Sequence, residues 1–307
     1  MRIVCFYSDY GYQDDFAGTC RAVMKRLEPT VEIIDVTHGL EPQDVRGAAF
    51  VMRNTLPYMP DGAVHLAIVD PGVGGPRRAV ALRSAGDRLF VGPDNGLLIL
   101  ACAADGGVAE AYVLSKGEHW LEPVSATFHG RDIFAPVAAR LAAGLPLHAV
   151  GDAIDPAGLT QLDIPQPKKT KRGLKATAVL VDRYGNIALN LNAEQLEEAE
   201  LGERIEIVCA GERYLAQVAR TFASVRASDI VVLVDSYGQV AVAVNAGSAE
   251  DVLNIEAGNT LELRRTSRAE RDPATAGAAA RPGARRRLGV APPQPRGAFL
   301  AKPRANR

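Results

Sequence analysis

Over the first half of the chain, short apolar runs alternate with longer stretches in which apolar residues recur every three or four positions. Residues 2–8, 31–36 and 63–69 are brief, rich in apolar or β-branched residues and bounded by polar turns, the pattern of strands in a buried sheet. Between the first two, Phe16, Cys20, Val23, Met24 and Leu27 keep helical spacing, with Asp14 or Asp15 placed to cap the start. A second helix is expected over 42–56, opening on Pro42, whose fixed φ suits a first turn. Strands at 79–82, 88–91 and 108–114 follow, with a helix after 96 and another from just beyond His129 to about residue 143. Strand, helix and strand in this order predict right-handed crossovers and a largely parallel sheet, hence an α/β domain over 1–163.

The pattern changes at Ile164-Pro-Gln-Pro-Lys-Lys-Thr-Lys-Arg-Gly173. Proline and charge make 164–173 a linker. Short runs at 174–181, 204–209, 214–219, 230–234, 240–244 and 260–263, with turns between, predict a smaller all-β, barrel-like domain over 174–266. Asp182-Arg-Tyr-Gly-Asn186 and Asp235-Ser-Tyr-Gly-Gln239 have the composition of hairpin turns. Residues 267–307 are rich in Ala, Pro, Gly and Arg with few large apolar side chains, too few to offset the entropy of ordering, and are expected to be disordered.

Composition fits a globular protein: of 307 residues, 47% are hydrophobic and 23% charged. The net charge of −1 hides an asymmetry, because residues 268–307 carry 10 Lys or Arg against 2 acidic residues, leaving 25 basic and 34 acidic before them. The Arg285-Arg286-Arg287 cluster could touch nucleic acid or an acidic surface, but a solvated tail is the favoured reading, and no specific nucleic-acid partner is expected. Cys5, Cys20, Cys102 and Cys209 are far apart and form no C-x-x-C pair, so neither a zinc knuckle nor a disulfide scaffold is indicated. The opening residues turn polar too soon for a secretion signal, and no apolar run approaches the roughly 20 residues that span a bilayer, so a cytoplasmic protein without membrane contact is expected.

Chemistry concentrates where strands end in polar loops. Ile68-Val-Asp-Pro-Gly-Val-Gly-Gly-Pro-Arg-Arg78 runs from a strand into a tight turn that can bring Asp70 and Arg77 to face one space, although a surface ion pair in a glycine-rich loop is the simpler alternative. The dinucleotide fingerprint G-x-G-x-x-G would need glycine at Arg77, and a methyltransferase-like D-x-G-x-G-x-G fails at Pro76. Both motifs should also open a helix, whereas a strand follows. Ser8-Asp-Tyr-Gly-Tyr-Gln-Asp-Asp15 holds three carboxylates, and helix capping does not explain Asp9. In Gly92-Pro-Asp-Asn-Gly96, Asp94 and Asn95 either complete a turn or face a ligand beside the strand ends. His129 stands before a helix whose N-terminus pushes an imidazole toward its neutral form, suiting a hydrogen-bonding or base role beside the plainer one of a structural histidine.

Taken together, these residues resemble the S-adenosyl-L-methionine (SAM) hydroxide adenosyltransferases, relatives of the fluorinase and chlorinase enzymes. The resemblance rests on Ser-Asp-Tyr-Gly at 8–11, Pro-Gln-Asp-Val at 42–45, Val-Asp-Pro-Gly-Val-Gly at 69–74, Gly-Pro-Asp-Asn-Gly at 92–96, Phe-His-Gly-Arg-Asp at 128–132, Asp-Arg-Tyr-Gly-Asn at 182–186, and Asn245-Ala-Gly. It implies an Asp, Arg and His triad matching Asp70, Arg77 and His129, and a homotrimer with the substrate between neighbouring subunits. Asp9 would hold the ribose hydroxyls, with Asp14 also in the substrate-binding set. Asn186, Phe222, Asn245 and Ala246 would surround the adenine, and Asp182 and Ser236 would meet the methionine portion. The implied reaction is hydrolysis of SAM to adenosine and L-methionine with no cofactor and no metal. Where the halide enzymes carry Tyr and Trp, this chain has Asp70 and Gln43, which favours water over a desolvated halide; it departs from its relatives at Ala241, often Glu, and at Leu189, commonly Thr. The alternatives are a nucleoside- or SAM-binding protein without turnover, a halide-using adenosyltransferase, a SAM-dependent methyltransferase, and a metal site built from Asp9, Asp70 and His129.

Overall fold

The computed structural model describes residues 3–266, and every count or absence below refers to these. The basic stretch expected to be disordered, 267–307, lies outside the described residues.

Alternation in the first strand sets the architecture. In β1 (Ile3–Ser8), Val4 and Phe6 enter one apolar cluster while Ile3, Cys5 and Tyr7 enter another, so the strand is buried on both faces and lies inside its sheet. With it run β2 (Glu32–Thr37), β3 (Val64–Ile68), β4 (Ala79–Ser84), β5 (Leu89–Pro93), β6 (Val108–Leu114) and β7 (Gly151–Ala153), in the spatial order β2-β1-β3-β5-β4-β6-β7. Pairing is parallel from β2 to β5 and antiparallel from β5 to β7. The sheet is therefore mixed: parallel where helical crossovers connect the strands, antiparallel where the short turn between β4 and β5 leaves no room for one.

Four helices cover it: α1 (Phe16–Leu27), α2 (Val45–Thr55), α3 (Ile99–Ala104) and α4 (Ala135–Ala142). Cys20 and Met24 of α1 and Val137, Ala138 and Leu141 of α4 pack on the Val4 and Phe6 face; Ala48 and Met52 of α2 and Ala101 and Cys102 of α3 pack on the other. Helix α2 starts three residues later than Pro42 predicts, because Asp44 is the cap, its Oδ1 accepting from the backbone N–H of Gly47 at 2.9 Å. At α1, Asp15 occupies the cap position but its carboxylate accepts from the Thr19 hydroxyl (2.9 Å) and from no backbone N–H of the helix, while Asp14 is exposed. No described helix is long and apolar enough to cross a membrane.

The second half forms β8 (Lys168–Lys169), β9 (Gly173–Val181), β10 (Ile187–Asn192), β11 (Arg204–Cys209), β12 (Glu212–Val218), β13 (Ile230–Val234), β14 (Gln239–Val244) and β15 (Thr260–Arg265). Seven of these, in the order β10-β14-β13-β12-β11-β15-β9, close into a barrel because β9 also pairs with β10, and β8 extends it beyond β9. Ile187, Leu189, Ile205, Ile207, Val232, Val240, Val242 and Leu263 fill the interior. The sequence reading omitted β10, which its Ile187, Leu189 and Leu191 alternation should have shown, and β8 falls within the stretch expected to be a linker. Phe50 of α2 packs against Val179 and Ala188 of the barrel, and Asn54 Nδ2 donates to Gln239 Oε1 at 2.8 Å.

Candidate active site

Strands β1, β3 and β5 are adjacent and parallel, so their carboxyl ends deliver Ser8-Asp9, Val69-Asp70 and Pro93-Asp94-Asn95 to one edge of the sheet. Asn95 Nδ2 ties two of these ends together by donating to the Val69 carbonyl at 2.8 Å. Asp94 does more than complete a turn. Its carboxylate accepts from Arg78 Nε (2.8 Å) and from the Thr160 backbone N–H (2.9 Å), a buried tie that leaves it no face toward a ligand.

The turn after β3 builds the central cluster. Arg77 Nε lies 2.9 and 3.1 Å from the two oxygens of Asp70, Arg77 Nη2 also bonds Asp70 Oδ2, and the same Nη2 lies 2.8 Å from His129 Nδ1. Side-chain exposure is 7% for Asp70 and 11% for Arg77, which rules out a plain surface pair. Arg77 Cζ stands 5.1 Å from the centre of the Phe134 ring, so the core beneath holds the guanidinium in place. His129 comes from a segment 52 residues further on, and one glycine admits it. Gly74 has φ +75°, and a Cβ there would stand 2.3 Å from the Ala126 carbonyl oxygen, so only glycine lets the segment before His129 pass this close. Asp132, itself buried, holds the other side of that segment by accepting from the Ser125 N–H at 2.8 Å. Between them, residues 130–134 make a π-helical turn that leads into α4.

These contacts determine the state of the imidazole. A guanidinium only donates, so His129 Nδ1 must accept from Arg77 and its proton resides on Nε2. Burial, and after it the Arg77 charge, hold the His129 pKa below its ordinary 6.5, the carboxylates of Asp70 and Asp132 offsetting them in part. The neutral form was anticipated from a helix N-terminus; burial and Arg77 are the larger causes. A histidine with a lowered pKa keeps its native contacts above about 6.5 and loses them as pH falls below that value. The expected pH–rate profile is therefore level above pH 6.5 with an acid limb centred below it, and a limb centred above 6.5 would show that a different group is being read.

Around the triad, Asp9 Oδ2 accepts from the backbone N–H of Gln43 at 2.9 Å, and Gln43 adopts a left-handed φ of 66° to present it. Tyr10 was not singled out from the sequence. Its ring lies 5.6 Å from that of Phe16 and 5.9 Å from that of Phe128, and its hydroxyl approaches Gly130 so closely that a Cβ there would stand 2.1 Å away. Burial first, then the charges of Asp9 and Asp70 among others, raise the Tyr10 pKa, so it stays a neutral phenol beside His129. Among the described residues no three His, Cys, Asp or Glu side chains are grouped so as to hold a metal, and Asp9, Asp70 and His129 form no such set.

The barrel residues named from the sequence divide into two groups. Asp182 accepts from the backbone N–H groups of Tyr184 (2.8 Å) and Asn186 (3.0 Å) and from Asn186 Nδ2 (2.8 Å), shaping the turn between β9 and β10. Gly185 packs on Ser248, and Asn245 Nδ2 donates to the Val225 carbonyl at 2.8 Å, so Asp182, Asn186, Phe222, Asn245 and Ala246 share one end of the barrel, where Phe222 is 43% and Tyr184 70% exposed. Ser236 is elsewhere. The β10–β14 register pairs Ile187 with Val242 and Asn192 with Gln239, which puts the 235–239 hairpin at the other end of β10 from the 182–186 turn. Ser236 lies on that hairpin, away from the turn that Asp182 shapes. It lines instead a cavity of about 530 Å³ with Arg53, Tyr58 and Tyr237 that includes no triad residue.

An α/β sheet with charged groups at adjacent strand ends, joined to a closed barrel with an exposed polar rim, defines a two-part ligand-handling protein. Residues 4–151 match the SAM hydroxide adenosyltransferase N-terminal domain and residues 176–262 the C-terminal domain of the same family. A (R)-S-adenosyl-L-methionine hydrolase of Salinispora tropica is 48% identical over 260 residues, covering 85% of this chain and 97% of its own. One of Thermus thermophilus is 39% identical over 271 residues, covering 86% and 100%. A crystal structure of an uncharacterized conserved protein from Thermotoga maritima superposes with a TM-score of 0.80 at 35% identity, covering 85% of this chain and all of that one. The chain belongs to the SAM hydroxide adenosyltransferase family.

Proposed function

We propose that this protein hydrolyses S-adenosyl-L-methionine to adenosine and L-methionine, and that the Asp70, Arg77 and His129 cluster performs the step. The oxygen of a water attacks C5′, the C5′–S bond breaks, and its electron pair goes to sulfur, which leaves as the neutral thioether of methionine. No acid is needed for such a leaving group, and the protein's task is to place and activate the water in line with C5′ and sulfur. The Arg77 guanidinium, held by Asp70 and by Phe134, stabilises hydroxide character as it grows. His129 presents Nε2–H, since Nδ1 is taken by Arg77, and so orients the water as a donor. Asp70 receives the proton as the O–C5′ bond forms, so that the attacking oxygen gains hydroxide character and ends as the neutral 5′-hydroxyl of adenosine. Asp9 holds the ribose hydroxyls. No metal or cofactor takes part.

The adenine contacts come from a second copy. The barrel end that carries Asn186, Phe222, Asn245 and Ala246 leaves Phe222 43% exposed in one chain, and a cyclic trimer would set each barrel end against a neighbour's triad.

Incubation with SAM in heavy-oxygen water is the direct test. The expected products are methionine and adenosine carrying the label at O5′, with the rate unchanged by a chelator. S-adenosylhomocysteine, a halonucleoside, or loss of activity with chelator would overturn the reading, and tight nucleoside binding without turnover would leave a sensor in its place.

A further inference from the structure

A second buried constellation lies one residue from Asp9. Ser8, the last residue of β1, and His38, just after β2, are both 0% exposed, and Ser8 Oγ lies 2.7 Å from His38 Nδ1. On the other side of the ring, His38 Nε2 is 3.2 Å from Asp35 Oδ1, close enough for attraction although off-line for a hydrogen bond. Asp35 Oδ2 in turn meets Arg21 Nη1 of α1 at 2.8 Å. The residue types are those of a hydrolytic triad, but the fully buried hydroxyl cannot reach a substrate, and the serine meets Nδ1 with the carboxylate on Nε2.

Proton directions give the set a different purpose. The Tyr10 backbone N–H donates to Ser8 Oγ at 3.4 Å; where the serine O–H in turn donates to His38 Nδ1, the ring proton sits on Nε2 and faces Asp35, which Arg21 neutralises. Backbone bonds close the same region: Gly11 N–H donates to the His38 carbonyl at 2.7 Å and Leu40 N–H to the Ser8 carbonyl at 3.4 Å. The rings of Phe6 and Tyr12 flank the imidazole edge-to-face at 4.6 and 5.2 Å. Every bond converges on residues 8–11, which carry Asp9 toward Gln43 and Tyr10 toward Gly130.

We infer that Ser8, His38, Asp35 and Arg21 form a positioning relay that holds the Asp9–Tyr10 loop in its substrate-binding shape, an inference that rests on the assignment of the ribose to Asp9. His38 is a positioning residue; it touches the loop, never the substrate. The relay acts on binding of the nucleoside, whereas the triad acts on the attacking water, and this separates the two in kinetics.

The test uses the full chain and four proteins: wild type, Ser8→Ala, His38→Asn and Asp9→Asn. Adenosine affinity is read by calorimetry and KM and kcat by turnover of SAM, with a melting curve for each. Removing the Ser8 hydroxyl deletes one atom and one buried hydrogen bond, so Ser8→Ala is expected to raise KM and the adenosine Kd by about three- to tenfold with kcat within about twofold. His38→Asn places an amide oxygen where Nδ1 was and is expected to stay closer to wild type in Kd than Ser8→Ala, a rescue that a purely space-filling histidine would not show. Wild-type affinity in Ser8→Ala beside weakened affinity in Asp9→Asn would overturn the relay while leaving the ribose assignment standing. Unchanged affinity in Asp9→Asn would overturn that assignment and the relay with it.

Discussion

Arg77→Ala, Asp70→Asn and His129→Ala are each expected to lower kcat on the order of 10²-fold or more while leaving adenosine affinity nearly unchanged. The reason lies in where charge changes. In the proposed mechanism adenosine is held by Asp9 and the neighbour's barrel end, whereas the three side chains act on a water whose negative charge grows only on the way to the transition state. Arg77 is expected to show the largest loss, since its Nη2 alone joins both partners and its removal leaves the Asp70 carboxylate, 7% exposed, without its counter-charge. Because the three serve one water, losses in the double variants should fall well short of additive. Rapid-quench turnover beside calorimetric adenosine binding gives both quantities. Equal loss of binding and turnover would make these residues substrate holders, and fully multiplicative Asp70 and His129 losses would make them independent; either result would sink the mechanism.

Two inactive variants are expected to restore activity to each other when they assemble together. One carries Arg77→Ala, the other Asn186→Ala with Phe222→Ala, which removes a polar and an aromatic contact to adenine and should lower kcat/KM on the order of 10²-fold. If each site takes its triad from one subunit and its barrel end from the next, every mixed trimer has one of its three sites with both halves intact, and about a third of wild-type activity returns. Co-expressed, differently tagged chains purified through both tags supply the mixed assembly. Activity no greater than the mean of the parents would place the whole site within one chain and end the shared-site reading.

The cluster of Asp70, Arg77 and His129 was legible from residue type and motif context: Asp70 sits where an apolar run stops, and in an open α/β sheet such stops gather at one edge, whereas His129 stands before a helix. The barrel was legible from short runs broken by turns, although β10 was passed over. Less visible were the jobs of individual polar residues. Asp94 looked like a turn residue and is instead bound to Arg78 and Thr160. The resemblance set Ser236 beside Asp182 at the methionine, and only the strand register shows that the two lie at opposite ends of β10. His38 was not singled out, though Asp35 within β2 and His38 just after it, three residues apart, with Ser8 ending the neighbouring strand, were the available signal.

Local pattern was sufficient for the alternation that buries both faces of β1, for the helical spacing of α1, for the closure-prone β segments and for the family motifs, because each depends on neighbours within a few residues. Packing in three dimensions was required for everything that joins residues 30 or more apart: Ser8 to His38, Arg77 to His129, Gly74 to the Ala126 carbonyl, Tyr10 to Gly130. Such pairs depend on strand order and on how closely two backbones pass. A glycine whose added Cβ would stand 2.3 Å from a neighbouring carbonyl oxygen is written in the sequence as one small residue among 29, and the backbone it has to admit gives it its meaning.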